Sequence, residues 1–166
     1  MALLNKVWRE SEFVPSGAEP GLTKGFPWRD AVESRTVAQI ARQRFGYPDA
    51  SNPGLQTYVN LPDRSLGVRD TTGSMVYPDI VVVDSRTTEV RILAEVETVR
   101  SLEDAADLME KWKAFSRLGP LYLFIPMSRL DEARSRLKTA GVRPAALRAW
   151  RYMAGMDFTD IVELPS

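Results

Sequence analysis

The densest β-type pattern in the chain lies between residues 74 and 98. Pro78-Asp79-Ile80-Val81-Val82-Val83-Asp84 is a β-branched run. Glu89-Val90-Arg91-Ile92-Leu93-Ala94-Glu95-Val96-Glu97 is a second apolar run that turns acidic at its end. Residues 74–84 and 88–98 therefore read as strands, joined as a hairpin by the short turn Asp84-Ser85-Arg86-Thr87-Thr88. Before the hairpin, residues 28–45 read as a helix from Trp28 to Phe45, ended by Gly46 and Pro48. Residues 46–73 carry Pro48, Asn52-Pro53-Gly54, Pro62 and Gly67 and read as loop, with a short strand at 55–60 or 66–69. After the hairpin, Ser101 predicts the cap of a helix over 101–117, with Asp104 in the capping-box position and Gly119-Pro120 as the stop. Leu121 to Pro126 is a continuous apolar run, the pattern of a buried strand. Ser128 predicts the cap of a further helix, with Asp131 in the box position and Gly141 at its end, and Ala146 to Met153 reads as the final strand.

The order helix, strands, helix, strand, helix, strand predicts one mixed α/β domain over residues 28–166. Residues 1–27 read as an irregular arm, punctuated by Pro15, Gly17, Pro20, Gly21, Gly25 and Pro27. Trp8, Phe13, Val14 and Phe26 give that arm apolar area without periodicity, so it is expected to pack on its own domain or on a second subunit; a homodimer contact is the specific expectation.

Composition narrows the chemistry. The 166 residues suffice for one full core, and 44% hydrophobic with 27% charged residues is ordinary for a globular domain. No apolar run approaches ~18 residues, so no membrane span is expected. Met1 to Trp8 is too short and mixed for a secretory signal. Without cysteine there is no disulfide, thiolate nucleophile or cysteine-held zinc, and a cytoplasmic location is the expectation. The absence of histidine is more informative, because it removes Ser-His-Asp and Cys-His catalysis and every His-ligated metal site. Chemistry must then run on carboxylates, lysine, tyrosine, hydroxyls or a bound metal. With 22 basic and 22 acidic residues, the net charge of zero counts against strong electrostatic attraction to nucleic acid.

The carboxylates supply the leading site. In a hairpin, Asp79 at the start of one strand lies beside Glu95 at the end of the other, and Glu97 shares the face of Glu95. Val81, Val83 and Leu93 make that face apolar, where unpaired charge is costly. Three carboxylates there repel one another unless a cation sits among them, and hard oxygen donors suit Mg²⁺ or Mn²⁺. On the helix 101–117, Leu102, Ala105, Ala106, Met109, Trp112 and Ser116 form a stripe with Lys113 near its middle and Lys111 on the opposite side. Lys113 then either reaches the carboxylates or lays its stem along the core. Glu33 shares a face with Val37, Ile40 and Arg44; pairing with Arg29 or Arg44 is favoured over approach to the site. Trp112, Phe115 and Tyr122 read as core, whereas Tyr77, directly before Pro78-Asp79, is open to a ligand role.

From about Glu33 to Pro126 these residues resemble the PD-(D/E)XK nuclease superfamily, the restriction-endonuclease-like fold, in the Pro78-Asp79 motif, the acidic pair closing the next strand and the helix-strand unit that follows. The resemblance implies an α-βββ-α-β core around a mixed sheet. It implies Asp79 and Glu95 as ligands of Mg²⁺ or Mn²⁺, Glu97 orienting or deprotonating the water, and Glu33 as an auxiliary acidic residue of the first helix. The family's third motif position is normally lysine; here it is Glu97, an ExE variant, and in some families of this fold the lysine moves to the following helix, where Lys113 stands. The activity implied is metal-assisted phosphodiester hydrolysis of nucleic acid, in the manner of a DNA-binding endonuclease, with Lys113 offsetting transition-state charge. The alternative is a non-catalytic binding or assembly module on the same fold, favoured by the zero net charge and the missing motif lysine.

Overall fold

The computed structural model describes residues 7–9, 27–156, 158–162 and 164. Most of the predicted arm, and with it the expected dimer contact, lies outside the described residues; within it, Val7–Arg9 forms strand β1. The elements that follow are α1 (Pro27–Arg44), β2 (Leu55–Val59), β3 (Leu66–Arg69), β4 (Met75–Val76), β5 (Ile80–Asp84), β6 (Val90–Val96), α2 (Ala105–Ser116), β7 (Leu121–Pro126), α3 (Leu130–Ala140), β8 (Ala146–Met153) and β9 (Phe158–Val162). The architecture is mixed α/β. A six-stranded sheet runs β2-β5-β6-β7-β8-β9, and a three-stranded sheet runs β1-β3-β4.

The predicted hairpin forms. β5 and β6 pair antiparallel with Ile80 opposite Ala94 and Val81 opposite Leu93, and β2 pairs antiparallel on the other side of β5. β6 to β7 and β7 to β8 are parallel, each crossed by a helix, and β9 closes the far edge antiparallel to β8. Alternation along β5 and β6 divides the core into two. Ile80, Val82, Ala94 and Val96 face α1, where Val37, Ile40, Ala41 and Phe45 bury the helix. Val81, Val83 and Leu93 face the other way, onto Leu108, Trp112 and Phe115 of α2 and Ala133 and Leu137 of α3. Each such large apolar side chain contributes about 1.5–3 kcal/mol by burial, so both faces of the central strands are fixed by packing.

Several boundaries differ from expectation, each for a local reason. The run 74–84 splits at Tyr77-Pro78, because Pro78 has no N–H to give to a ladder; β4 joins the small sheet and β5 the large one. Both short segments in the loop-rich region form strands, as β2 and β3. The helix expected from 101 to 117 begins later. Ser101–Glu103 is a 3-10 turn, and Asp104 caps α2, its carboxylate accepting the Asp107 N–H at 3.4 Å. Ser128 lies in another 3-10 turn, Met127–Arg129, and α3 starts at Leu130 without a side-chain cap. Gly141 ends α3 in the left-handed conformation, φ 67°, which glycine adopts without penalty. β8 is not the last strand: β9 follows the turn at Gly155. None of the described helices is long and apolar enough to cross a membrane.

Candidate active site

The hairpin register carries Asp79 and Glu95 to adjoining positions, one step beyond the Ile80–Ala94 pair. Each carboxylate takes a backbone N–H from the other's strand end. The Asp79 amide donates to Glu95 Oε1 at 3.0 Å, and the Val96 amide donates to Asp79 Oδ2 at 2.8 Å. Glu95 is buried and Asp79 half-buried. They belong to the face of β5 and β6 that meets α2, as the alternation predicts.

Glu97 lies deeper, 1% exposed. Its Oε1 accepts the Trp112 indole N–H at 2.9 Å, and its Oε2 accepts the Ser101 hydroxyl at 2.5 Å. Its main-chain carbonyl accepts the Trp150 indole N–H at 3.0 Å. Both carboxylate oxygens are thus committed to groups that lock the 3-10 turn and α2 onto the sheet. Trp112, Phe115 and Tyr122 take core places: the first two are buried, and Tyr122 packs edge-on to Phe45 with ring centroids 5.7 Å apart.

The lysine that reaches the carboxylates is Lys111, not Lys113. Lys111 Nζ lies 2.7 Å from Glu95 Oε2 and 3.0 Å from Glu97 Oε1. Lys113 instead pairs with Glu110 at 2.7 Å, one helical turn away on the surface. The phase error has a clear origin. Leu102 belongs to the 3-10 turn, so it cannot be counted on the helical stripe; the residues α2 buries are Leu108, Trp112 and Phe115. A stripe centred on those three puts Lys111 on its flank and Lys113 well away from it. Glu33 is carried by α1, whose buried residues Val37, Ile40, Ala41 and Phe45 pack on the other face of the sheet.

Three carboxylates and one ammonium leave a formal charge of −2 when all are ionised. The protonation directions follow. Burial, then the charge of Glu95, holds the Asp79 carboxyl well above its ordinary range, against the opposing pull of the Val96 amide. Burial likewise raises Glu95, although Lys111 opposes it. Burial alone would disfavour the Lys111 ammonium, but Glu95 and Glu97 overcome it and hold the group charged well past its ordinary range. The carboxyls whose ionisation the site resists are therefore Asp79 and Glu95.

Asp79 and Lys111 line a cleft of about 620 Å³ together with Asn60, Arg64, Tyr77 and Phe115. Among the described residues, Asp79 Oδ1 accepts no hydrogen bond and is not sealed from solvent, so one hard oxygen faces this cleft. Also among the described residues, no three carboxylates converge on a common point suited to an ion: Lys111 stands where Glu95 and Glu97 converge, and Glu97 is turned toward Trp112 and Ser101. Asp79 and Glu95 are the donors left to a hard divalent cation, with Glu95 Oε2 shared with Lys111.

Two contributors were missed by sequence reasoning. Lys111 was signalled by Asp104, a strong cap residue whose use as N-cap resets the helical phase. Asn60 is buried, and its amide N–H donates to the Asp79 carbonyl at 2.9 Å; nothing in the local pattern distinguishes it from the other turn-forming asparagine. Comparison of the chain with protein-family models, with curated proteins and with solved structures finds no match.

Proposed function

We propose that the chain is a divalent-metal-dependent phosphodiester hydrolase, a nuclease of the PD-(D/E)XK kind, with Asp79 and Glu95 as metal ligands and Lys111 as the site's lysine. The observation that carries the reading is the uncompensated charge: two adjoining carboxylates at a cleft, with one ammonium for three carboxylates. A divalent cation is the simplest partner for hard oxygens whose formal charge, with all three carboxylates ionised, is −2. The order α1-β2-β5-β6-α2-β7, with the small β3-β4 sheet inserted, supports the restriction-endonuclease-like reading because it reproduces an α-βββ-α-β core.

Bound Mg²⁺ or Mn²⁺ would polarise a phosphate oxygen and lower the pKa of a water. The chain's own residues supply the rest. Asp79 presents Oδ1 to the cleft while its Oδ2 is fixed by the Val96 amide. Lys111 brings a permanent positive charge to the same wall, where charge builds on a phosphoryl group in the transition state. Glu97 holds that ammonium in place and, with both oxygens engaged, acts as a positioning residue rather than as a base.

One observation favours the second reading, a non-catalytic module: Lys111 already satisfies Glu95 and Glu97 without any added ion. The test is cleavage of fluorescently labelled DNA and RNA in Mg²⁺ and in Mn²⁺. The nuclease reading expects metal-dependent cleavage by the wild type that is abolished in Asp79→Asn and Glu95→Gln. No cleavage with either metal and either substrate, or full activity in Asp79→Asn, overturns it.

A further inference from the structure

The loop between β2 and β3 is tied to the site by one side chain. Asn60 Nδ2 donates to the carbonyls of Leu66, at 2.8 Å, and Pro78, at 2.7 Å. Its Oδ1 accepts the amides of Ser65, at 2.7 Å, and Leu66, at 2.9 Å. Ser65 Oγ donates to the Val59 carbonyl at 2.8 Å. Both ends of the segment 61–65 are therefore fastened to the strand start that carries Asp79. The segment presents Arg64, whose guanidinium carbon sits 4.5 Å above the centre of the Tyr77 ring. The ring is seated in turn against Gly67, where a Cβ would come within 3.0 Å of ring Cε1. A Cβ at 67 would meet Met75 Cε at 2.5 Å and the ring edge at 3.0 Å, so both side chains would have to shift.

Arg64 is exposed, and among the described residues it pairs with no carboxylate. Arg91, Arg129, Arg134, Arg136 and Arg151 all do. Stacking uses the face of the guanidinium and leaves its edge N–H donors available, the geometry that suits a phosphate. Arg64, Tyr77, Asp79 and Lys111 line one cleft.

We propose that Arg64, held on Tyr77 by the Asn60 clamp, is a phosphate-binding arm that grips the nucleic-acid backbone beside the phosphate presented to Asp79. The inference rests on the nuclease reading. The clamp orders the loop before substrate arrives, so little conformational entropy remains to be lost on binding. In a chain of zero net charge, affinity must come from a few placed cations rather than from a broad field.

The test is fluorescence anisotropy with a fluorescein-labelled DNA duplex and the RNA duplex of the same sequence, in Ca²⁺ to limit cleavage, over a salt series. Arg64→Gln is expected to weaken binding by about 10- to 100-fold. It should also reduce the slope of log affinity against log salt by about 0.9 on DNA, one phosphate contact. Arg64→Lys should restore the slope but not the affinity, since it keeps the charge and loses the planar fork. Tyr77→Leu should weaken binding with the slope retained. Arg86→Gln, which removes a charge from the turn at the other end of the hairpin, is the control and should stay close to wild type. If Arg64→Gln binds as wild type does, or no more weakly than Arg86→Gln, the proposal is overturned while the nuclease reading stands. A wild type that binds neither duplex sinks both.

Discussion

Replacing Asp79 by asparagine should stabilise the metal-free protein at neutral pH. Asp79 faces Glu95, Glu97 and Lys111, a net charge of −1. Directly opposed cross-strand residues hold their Cβ atoms about 4.5–5.5 Å apart, and at an effective dielectric of about 20 one unit of repulsion at that separation amounts to about 3 kcal/mol. The Val96 amide now bonds a charged oxygen at 2.8 Å; an asparagine oxygen still accepts it, at a loss of about 1 kcal/mol. The net gain is about 2 kcal/mol, or roughly 4–8 °C in melting temperature for a chain of this size. The pH dependence carries the diagnosis. Because the folded carboxyl titrates above its ordinary value, the folded state holds a proton that the unfolded chain releases at about pH 4. Wild-type stability therefore falls as pH rises from about 4 through the folded pKa, and asparagine removes that contribution. Thermal melts in EDTA from pH 4 to 8 should show the two proteins converging at the acid end and separating above it. Equal or lower stability of Asp79→Asn at pH 7, or a gain that persists unchanged at pH 4, would refute the surplus-charge argument.

Lys111→Met should lower stability by about 2–3 kcal/mol in urea denaturation, below the fully buried range because solvent reaches the ammonium. It should also cut metal-dependent cleavage about 10²-fold or more. Lys113→Ala removes only an exposed pair with Glu110 and should shift stability by less than about 0.5 kcal/mol; equal effects of the two lysines would contradict the assignment. Glu97→Ala leaves Lys111 to Glu95 alone and strands the buried Trp112 indole N–H, so a loss of about 3–5 kcal/mol is expected. A urea midpoint within error of wild type would show that Glu97 is not the residue locking α2 to the sheet.

The hairpin was legible because β-branched runs on both sides of a short polar turn leave few alternatives, and its register brings Asp79 to Glu95 without tertiary information. The two-sheet arrangement was not legible. Whether Met75 and Val76 continue into Ile80 or pair with β3 depends on partners distant in sequence, although Pro78 marked where the ladder had to break. β9 carried a faint signal, a short Phe158-Thr159-Asp160-Ile161-Val162 segment after the glycine turn. The lysine was misassigned because a 3-10 turn and an α-helix look alike in a pattern of apolar spacings, yet differ in phase. The cation expected among the carboxylates was Mg²⁺ or Mn²⁺, whereas the ammonium of Lys111 occupies the place between Glu95 and Glu97. The commitment of Glu97 to Trp112, Ser101 and Lys111 could not be read from sequence, since it depends on how α2 is rotated against the sheet.

The most direct test is a crystal of the wild-type protein soaked in Mn²⁺ and measured at the manganese absorption edge. The account predicts an anomalous peak within coordination distance of oxygens from both Asp79 and Glu95, with Lys111 retained against Glu97. Soaked crystals with no peak between Asp79 and Glu95, and with Lys111 still bridging Glu95 and Glu97, would contradict it.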